Sequence, residues 1–596
     1  MTQPPTWDLS AWFPGLDSEA WRVARGAVDA TLADLKGRAI ALAPPVVDDH
    51  EAWVALLRAV EAARAELGHL DAFAGALAAA DAHDPAAKRE TAALASLGAR
   101  SDQVEAALIA GLGAAEAAAF EALIAHPDLE GAAYRLRRLR DEAARSMSPE
   151  LEMLAAELGV TGLDAWGRLY EQVTGELDFE LTPGRRVPFA WKRSLTQDPD
   201  PAIRRAALVN SNAELAARGS VFTAALNGIA GTRLALWARR GIPHFLDEAV
   251  HGAAITRATL DTMMGVCAEY AELPRRYLRL KAGLMGMERL GMQDLSAPVP
   301  VPDPPPLPWA EATRIVLDAF DRYDPEMGDF ARHALAHRWI EAEPRPGKRP
   351  GAFCTGSRVA RESRVFMTYQ DTLGDVQTLA HELGHAYHNF VMRDLRPFAT
   401  GYAMTLAETA STFAESLVGE ALLAAPGAGR SQTLAVLDLR MDRAASFLLN
   451  IPMRFEFERA FYEARREGEV PTERLCALME ETQRAVYGDA LDPQALDPWF
   501  WASKLHYFIT GVSFYNFPYT FGYLFSLGVW ARARSAGPAF RPTYRALLRA
   551  TGSGTAEQVA RDVLGIDLER PEFWRETMTI VADDLALFEQ AIAPPA

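Results

Sequence analysis

Three features of the sequence predict a mainly α-helical protein. Long stretches are rich in Ala, Leu, Glu and Arg, with apolar residues recurring at intervals of three and four. Pro and Gly clusters fall between those stretches. Segments with strand character are confined to two short places.

Taken in order, residues 18–41, 51–82, 85–125 and 128–158 read as helices. Pro44-Pro45, His83-Asp84-Pro85 and Pro127 break the pattern between them. The basic run from Arg135 to Arg145 reads as a solvated helix face with acidic neighbours. Residues 175–195 lose the helical period, and their alternation with Pro and Gly suggests a hairpin or an irregular crossing. A domain boundary is placed there, giving an N-terminal helical domain (1–195) and a second domain (196–596). Helix resumes over 197–240. Seven prolines between Ala297 and Pro308 exclude both helix and central strand, so 297–308 is expected to be a stiff extended connection. After the breaker cluster 343–351, two short segments (351–354 and 365–369) flank a polar turn and predict a small hairpin. From Asp375 onward helix dominates.

The chain has 596 residues and a formal charge of -18, from 61 Lys+Arg against 79 Asp+Glu. That balance argues against nucleic acid as the main ligand, which needs a concentrated positive surface. Three cysteines without a CxxC pair exclude a disulfide framework and argue against a thiolate metal site. No basic n-region or apolar h-region opens the chain, and no apolar run approaches a membrane span, so a cytoplasmic protein without membrane contact is expected.

Residues 381–385 read His-Glu-Leu-Gly-His. On a helix, His381 and His385 lie about 40° apart and about 6 Å along the axis, so both imidazoles can chelate one zinc ion. Glu382 lies about 100° round from His381, where a general base for an activated water belongs. Val376, Leu379, Leu383, Tyr387 and Phe390 form an apolar stripe on the opposite side from His381. Gly384 lets another backbone approach closely. Asp375 is a helix N-cap or closes a capping box with Thr372. His388, two turns from His381, reads as a substrate contact or a polar-face residue rather than a ligand.

A catalytic zinc needs a third protein ligand. The next helix offers Glu408, 23 residues after His385, and Glu415, two turns later on the same face. Glu408 can instead cap its own helix through Thr405, and Glu415 also suits a carboxylate that orients a histidine. A third cluster holds His506, Tyr515 and Tyr519, groups able to donate to a developing oxyanion or to form an aromatic packing seam.

The segments TLAHELGHAYHNF (378–390), GYAMTLAETASTFAE (401–415) and SKLHYFITGVSFYNFPYTFGYLFSLG (503–528) resemble oligoendopeptidase F, a bacterial branch of the thimet oligopeptidase family of zinc peptidases. WDLSAWFP (7–14) is similar to that branch too, as is the segment at 369–372. The resemblance implies one zinc per chain on His381, His385 and Glu408, with Glu382 as general base. It implies that His506, Tyr515 and Tyr519 contact substrate and stabilise the transition state. The thimet branch carries a further Tyr where this chain has Gly522, followed by Tyr523, which leaves open which phenol reaches the oxyanion. The implied fold is nearly all α, two helical halves enclosing a deep substrate channel with a small β-sheet beside the active site.

The expected activity is therefore zinc-dependent endopeptidase cleavage of short unstructured peptides. The hairpin 351–369 is expected to hold the substrate backbone by strand addition. The alternatives are a dipeptidyl carboxypeptidase of the same family and a peptide-binding scaffold with a structural zinc. The presence of Glu382 argues against the scaffold, because a structural site needs no base.

Overall fold

The computed structural model describes residues 3–300, 306–425 and 429–593. Helices dominate, and the described strands form two small sheets. The chain divides into two compact units that interleave in sequence. The first comprises Met1–Arg145, Pro304–Ala428 and Phe525–Asp567, and the second Ser146–Asp303, Gly429–Leu524 and Leu568–Ala596. Among the described residues no helix is long and apolar enough to cross a membrane.

In the first unit, helices Glu19–Ala41, Glu51–Ala80, Pro85–Gly113 and Ala133–Ala144 pack on one another through a core that includes Trp21, Leu57, Phe73 and Leu136. The expected segment 85–125 is broken once and 128–158 twice, at 130–132 and at 145–148. Ala114–Glu116 separates Pro85–Gly113 from Ala117–Ile124, and Arg145–Ser148 precedes Pro149–Thr161. Helix-forming composition did not betray these turns, since the first is written in Ala and Glu. The basic run behaves as a paired surface: Arg135 meets Glu105 at 2.6 Å and Arg137 meets Glu121 at 2.6 Å, while Leu136 and Leu139 are buried beneath. The N-terminal segment is a core element. Trp7, Leu9, Trp12 and Phe13 are buried, and the Phe13 ring contacts Trp21 and Phe73 at 5.2 and 5.1 Å.

The second unit holds β1 (Asp178–Thr182) and β2 (Arg185–Pro188), an antiparallel hairpin turned at Gly184 with φ +74°. The hairpin does not act as a linker. Asn210, on the helix Pro201–Ala217, donates to the Glu180 carbonyl at 2.6 Å, and Arg186 reaches Glu214 at 3.0 Å. Residue 195, where the sequence suggests a domain boundary, thus falls inside a compact unit whose own start is Ser146. The centre of the proline-rich connection, 301–305, lies outside the described residues.

In the first unit β3 (Ile340–Glu341), β4 (Phe353–Ser357) and β5 (Glu362–Phe366) form a three-stranded sheet. β4 and β5 make the expected hairpin, with a tighter turn than the sequence suggests, and β3 adds in parallel to β5. β4 is consequently an edge strand. Arg364 of β5 is buried over the Trp12 ring at 4.6 Å, which ties the sheet to the N-terminal segment.

The helix Pro201–Ala217 is anchored in the second unit by a fully buried ion pair, Arg204 Nε to Asp294 Oδ1 at 2.8 Å. Arg204 Nη1 donates to the carbonyls of Asp198 and Pro199. Removing one partner strands the other charge in the interior. Asp294→Ala is therefore expected to lower unfolding free energy by about 3–5 kcal/mol, measured by urea denaturation, whereas the double change Arg204→Met with Asp294→Leu recovers most of that loss.

Candidate metal centre

The helix Leu373–Val391 starts at a closed capping box: the Thr372 side chain accepts from the Asp375 N–H at 3.1 Å, and Asp375 accepts from the Thr372 N–H at 3.1 Å. Val376, Leu379, Leu383 and Tyr387 are buried along one side. On another side Gly384 meets the backbone where the helix Ser411–Leu423 begins. A Cβ at residue 384 would lie 2.6 Å from the Ala410 oxygen and 2.7 Å from the Ser411 Cα. Glycine is thus required here by contact with backbone that has nowhere to move.

That approach delivers two carboxylates to the histidines. Glu408 sits in the break between the short helix Met404–Ala407 and the helix Ser411–Leu423, rather than within one continuous helix. The break is held by Ser411, whose hydroxyl donates to Glu408 Oε2 at 2.6 Å, and by Ser526, whose hydroxyl donates to the Thr409 carbonyl at 3.2 Å. Because Glu408 follows the short helix, whose N-cap is Ala403, it does not cap it through Thr405. Glu408 Oε2 lies 3.4 Å from His381 Nε2 and 3.6 Å from His385 Nε2. Glu415 takes the opposite side of the first imidazole, with Oε1 2.5 Å from His381 Nδ1.

The donor set fits a zinc ion. His381, His385 and Glu408 each offer one atom, all within 4.8 Å of one another. Ligands at the usual zinc distance of about 2.0–2.1 Å in a tetrahedron are separated by about 3.4 Å, close to the two Glu408 separations. A carboxylate behind a ligating histidine, as Glu415 is placed behind His381, orients the ring and raises its basicity. Burial, with His381 alongside, lowers the pKa of His385 to about 4, which keeps it in the neutral form that coordinates metals.

Glu382 is buried, and its Oε2 has no hydrogen-bond partner. Burial raises its pKa to about 7; His381 opposes the rise and Glu408 adds to it. A carboxylate with a free oxygen and a pKa near neutrality is suited to accepting and returning a proton.

His388 departs from the expectation of a polar-face or substrate-contact residue. It is fully buried, stacks on Tyr402 at 4.5 Å, and places Nε2 3.1 Å from the Leu548 carbonyl and 2.9 Å from the Thr551 hydroxyl. Burial lowers its pKa to about 3, so it is a neutral donor that pins the helix to the segment 548–551. Its partners lie 160 or more residues away in sequence, beyond the reach of helical periodicity.

His506, Tyr515 and Tyr519 belong to the second unit and form a cluster of their own. Their rings are 5.7 Å apart for His506 and Tyr515, 6.2 Å for His506 and Tyr519, and 5.7 Å for the two tyrosines. Arg233 shapes the loop between them by donating to the Thr510 and Val512 carbonyls at 3.2 and 2.6 Å. Phe514 adopts φ +52°, a left-handed conformation costly for an aromatic residue, and its N–H is held by Glu458 at 2.8 Å. Tyr523 is buried and stacks on Phe447 at 4.7 Å, a packing role. The sequence reading passed over Arg454 and Lys504, which crowd His506. Lys504 stood two residues from a motif histidine, and that adjacency was the available signal.

A mainly helical protein that gathers two histidines, the glutamate between them and a further carboxylate has the constellation expected of a metallopeptidase. Residues 318–580 match the family model Peptidase family M3, and residues 112–179 match the model Oligopeptidase F. The chain is 26% identical over 351 residues to Group B oligopeptidase PepB of Streptococcus agalactiae, an alignment covering 58% of this chain and 57% of that protein. The chain thus spans about half the length of the curated relatives it matches. Its fold resembles that of a Chlamydophila abortus protein provisionally assigned as a peptidase, with TM-score 0.82 and 18% identity over 98% of each chain. It also resembles oligoendopeptidase-F from Enterococcus faecium, with TM-score 0.69 and 19% identity over 96% of this chain and 99% of that one. The chain belongs to peptidase family M3, as an oligoendopeptidase F-like member.

Gly384→Ala is expected to push the helices Leu373–Val391 and Ser411–Leu423 apart and to cost about 1–3 kcal/mol of stability, read by thermal or urea unfolding. An unchanged midpoint would mean that the close approach carries no strain limit.

Proposed function

We propose that the protein is a zinc-dependent endopeptidase that cleaves short, unstructured peptides. The observation that carries this reading is the convergence of His381 Nε2, His385 Nε2 and Glu408 Oε2 beside the unpartnered, buried Oε2 of Glu382. Zinc held by the three donors would supply Lewis acidity, lowering the pKa of a water and polarising the scissile carbonyl.

Glu382 takes a proton from the attacking water at its free Oε2 and returns it to the leaving amine nitrogen. The sum is one water consumed, one peptide bond broken, and one carboxylate and one amine released. Glu415 holds His381 in the orientation that presents Nε2. His506, Tyr515 and Tyr519 contact the substrate, and Tyr519 or His506 donates a hydrogen bond to the developing oxyanion. The edge strand β4 offers a site for strand addition to the peptide backbone. The Group B oligopeptidase and oligoendopeptidase F names carried by its relatives agree with peptides, rather than folded proteins, as substrates.

Three measurements test this reading. Digestion of a mixed peptide pool, followed by mass spectrometry, is expected to stop with a chelator and resume when zinc is restored; cleavage that survives complete metal removal sinks the proposal. Glu382→Gln is expected to keep its zinc, by elemental analysis, and to lose about 10²–10⁴-fold in kcat. Glu415→Ala is expected to weaken zinc about 10–100-fold in competition with a chromogenic chelator.

A further inference from the structure

The second unit contains a group of cations that its internal ion pairs do not neutralise. Lys504 Nζ lies 4.5 Å from the centre of the Phe500 ring and the Arg454 guanidinium 5.4 Å from the same ring, so one aromatic ring receives both charges. Among the described residues the Lys504 ammonium has no hydrogen-bond or ion-pair partner. Arg454 makes one side-chain hydrogen bond, to the neutral Asn516 Oδ1 at 3.3 Å. Arg193, exposed at the same locality, has no carboxylate partner among the described residues.

Asp497, the carboxylate that acts on Lys504, is already committed. Asp497 accepts from Asn212 at 2.8 Å and from the Trp499 N–H at 3.1 Å, and it pairs with Lys192 at 3.4 Å. Glu458, one turn along the helix from Arg454, accepts from the Phe514 N–H at Oε1 and leaves Oε2 without a partner. Three buried polar atoms are left without partners in this group: Arg454 Nε, Asn516 Nδ2 and His506 Nδ1. Unmatched donors and unneutralised cations are costly in an interior unless an anion completes them. Their place beside His506 puts them at the cluster read above as a substrate contact.

We propose that Arg193, Arg454 and Lys504 form a carboxylate-binding subsite for the peptide substrate. The geometry suits a carboxylate, which can accept from a guanidinium and an ammonium together while Asn516 Nδ2 supplies a further donor. Burial, reinforced by the neighbouring cations, pushes the Lys504 ammonium well below its ordinary pKa, and an incoming anion relieves that penalty. The same cations help lower His506 to about 4, chiefly through burial, so the imidazole stays neutral beside them. The inference rests on the peptidase reading for the identity of the ligand, but not for the existence of the subsite.

The test is calorimetric titration of full-length, zinc-loaded Glu382→Gln protein with three N-acetylated forms of one peptide. These are the free acid, the C-terminal amide, and an amide with Glu as the last residue. The free acid is expected to bind at least about 10-fold more tightly than the plain amide. Lys504→Gln and Arg454→Gln are expected to bring that ratio toward one. If the Glu-containing amide alone shows the gain, the carboxylate recognised is a side chain. Equal affinity for all three forms, no binding by any, or a ratio unmoved in every variant overturns the subsite. Arg193→Gln, at an exposed position, serves if the changes at the half-buried Lys504 and Arg454 prevent folding. Binding is read without turnover, so selective binding of the acid by a protein that hydrolyses nothing would count against the peptidase reading and leave the subsite standing.

Discussion

The contact between Gly384 and the backbone at Ala410 and Ser411 is the constraint on which the metal centre depends. A helix can present two histidines by itself, but it cannot supply the third donor. That donor must come from another segment, and how near it comes is set by the side chain at the point of contact. With hydrogen as the side chain, the backbones meet closely enough for Glu408 to stand beside both imidazoles while Glu415, from the following helix, reaches the far nitrogen of one of them.

Around that contact the first unit is organised to hold the helix still. Its start is closed by Thr372 and Asp375, and its end is tied by His388 to Thr551 and the Leu548 carbonyl. His388 and His381 are the same residue type on one helix, nearly eclipsed, yet their roles diverge completely. One imidazole is buried and held at Nε2 by structural partners. The other meets a carboxylate at each ring nitrogen. Environment, not residue type, assigns the chemistry.

The second unit shows the converse arrangement. Two buried cations elsewhere in it are matched, Arg204 by Asp294 and Lys281 by the Leu295 carbonyl and Asp442. Those around His506 are not. A chain with a formal charge of -18 has ample carboxylates, so unpaired cations at one buried place are a local property of the packing rather than a consequence of composition. The strained Phe514, braced by Glu458, keeps the adjoining Tyr515 in that same neighbourhood.

Helix class, the two short strand regions and the His-Glu-x-x-His spacing were legible in the sequence, because each depends on neighbours within one or two helical turns. Gly384 was legible too, as a missing side chain next to a functional face. The choice between Glu408 and Glu415 was not settled by residue spacing, since both lie on one face of what reads as a continuous helix. The resemblance to known peptidases favoured Glu408. The short break after Ala407 and the close backbone contact then turned Glu408 and Glu415 to opposite nitrogens of His381. The burial of His388, the breaks inside the long alanine-rich stretches, the interleaving of the two units and the unpaired cations at Lys504 and Arg454 were decided only by tertiary structure. They depend on which distant segments meet, and periodicity along a chain carries no record of that.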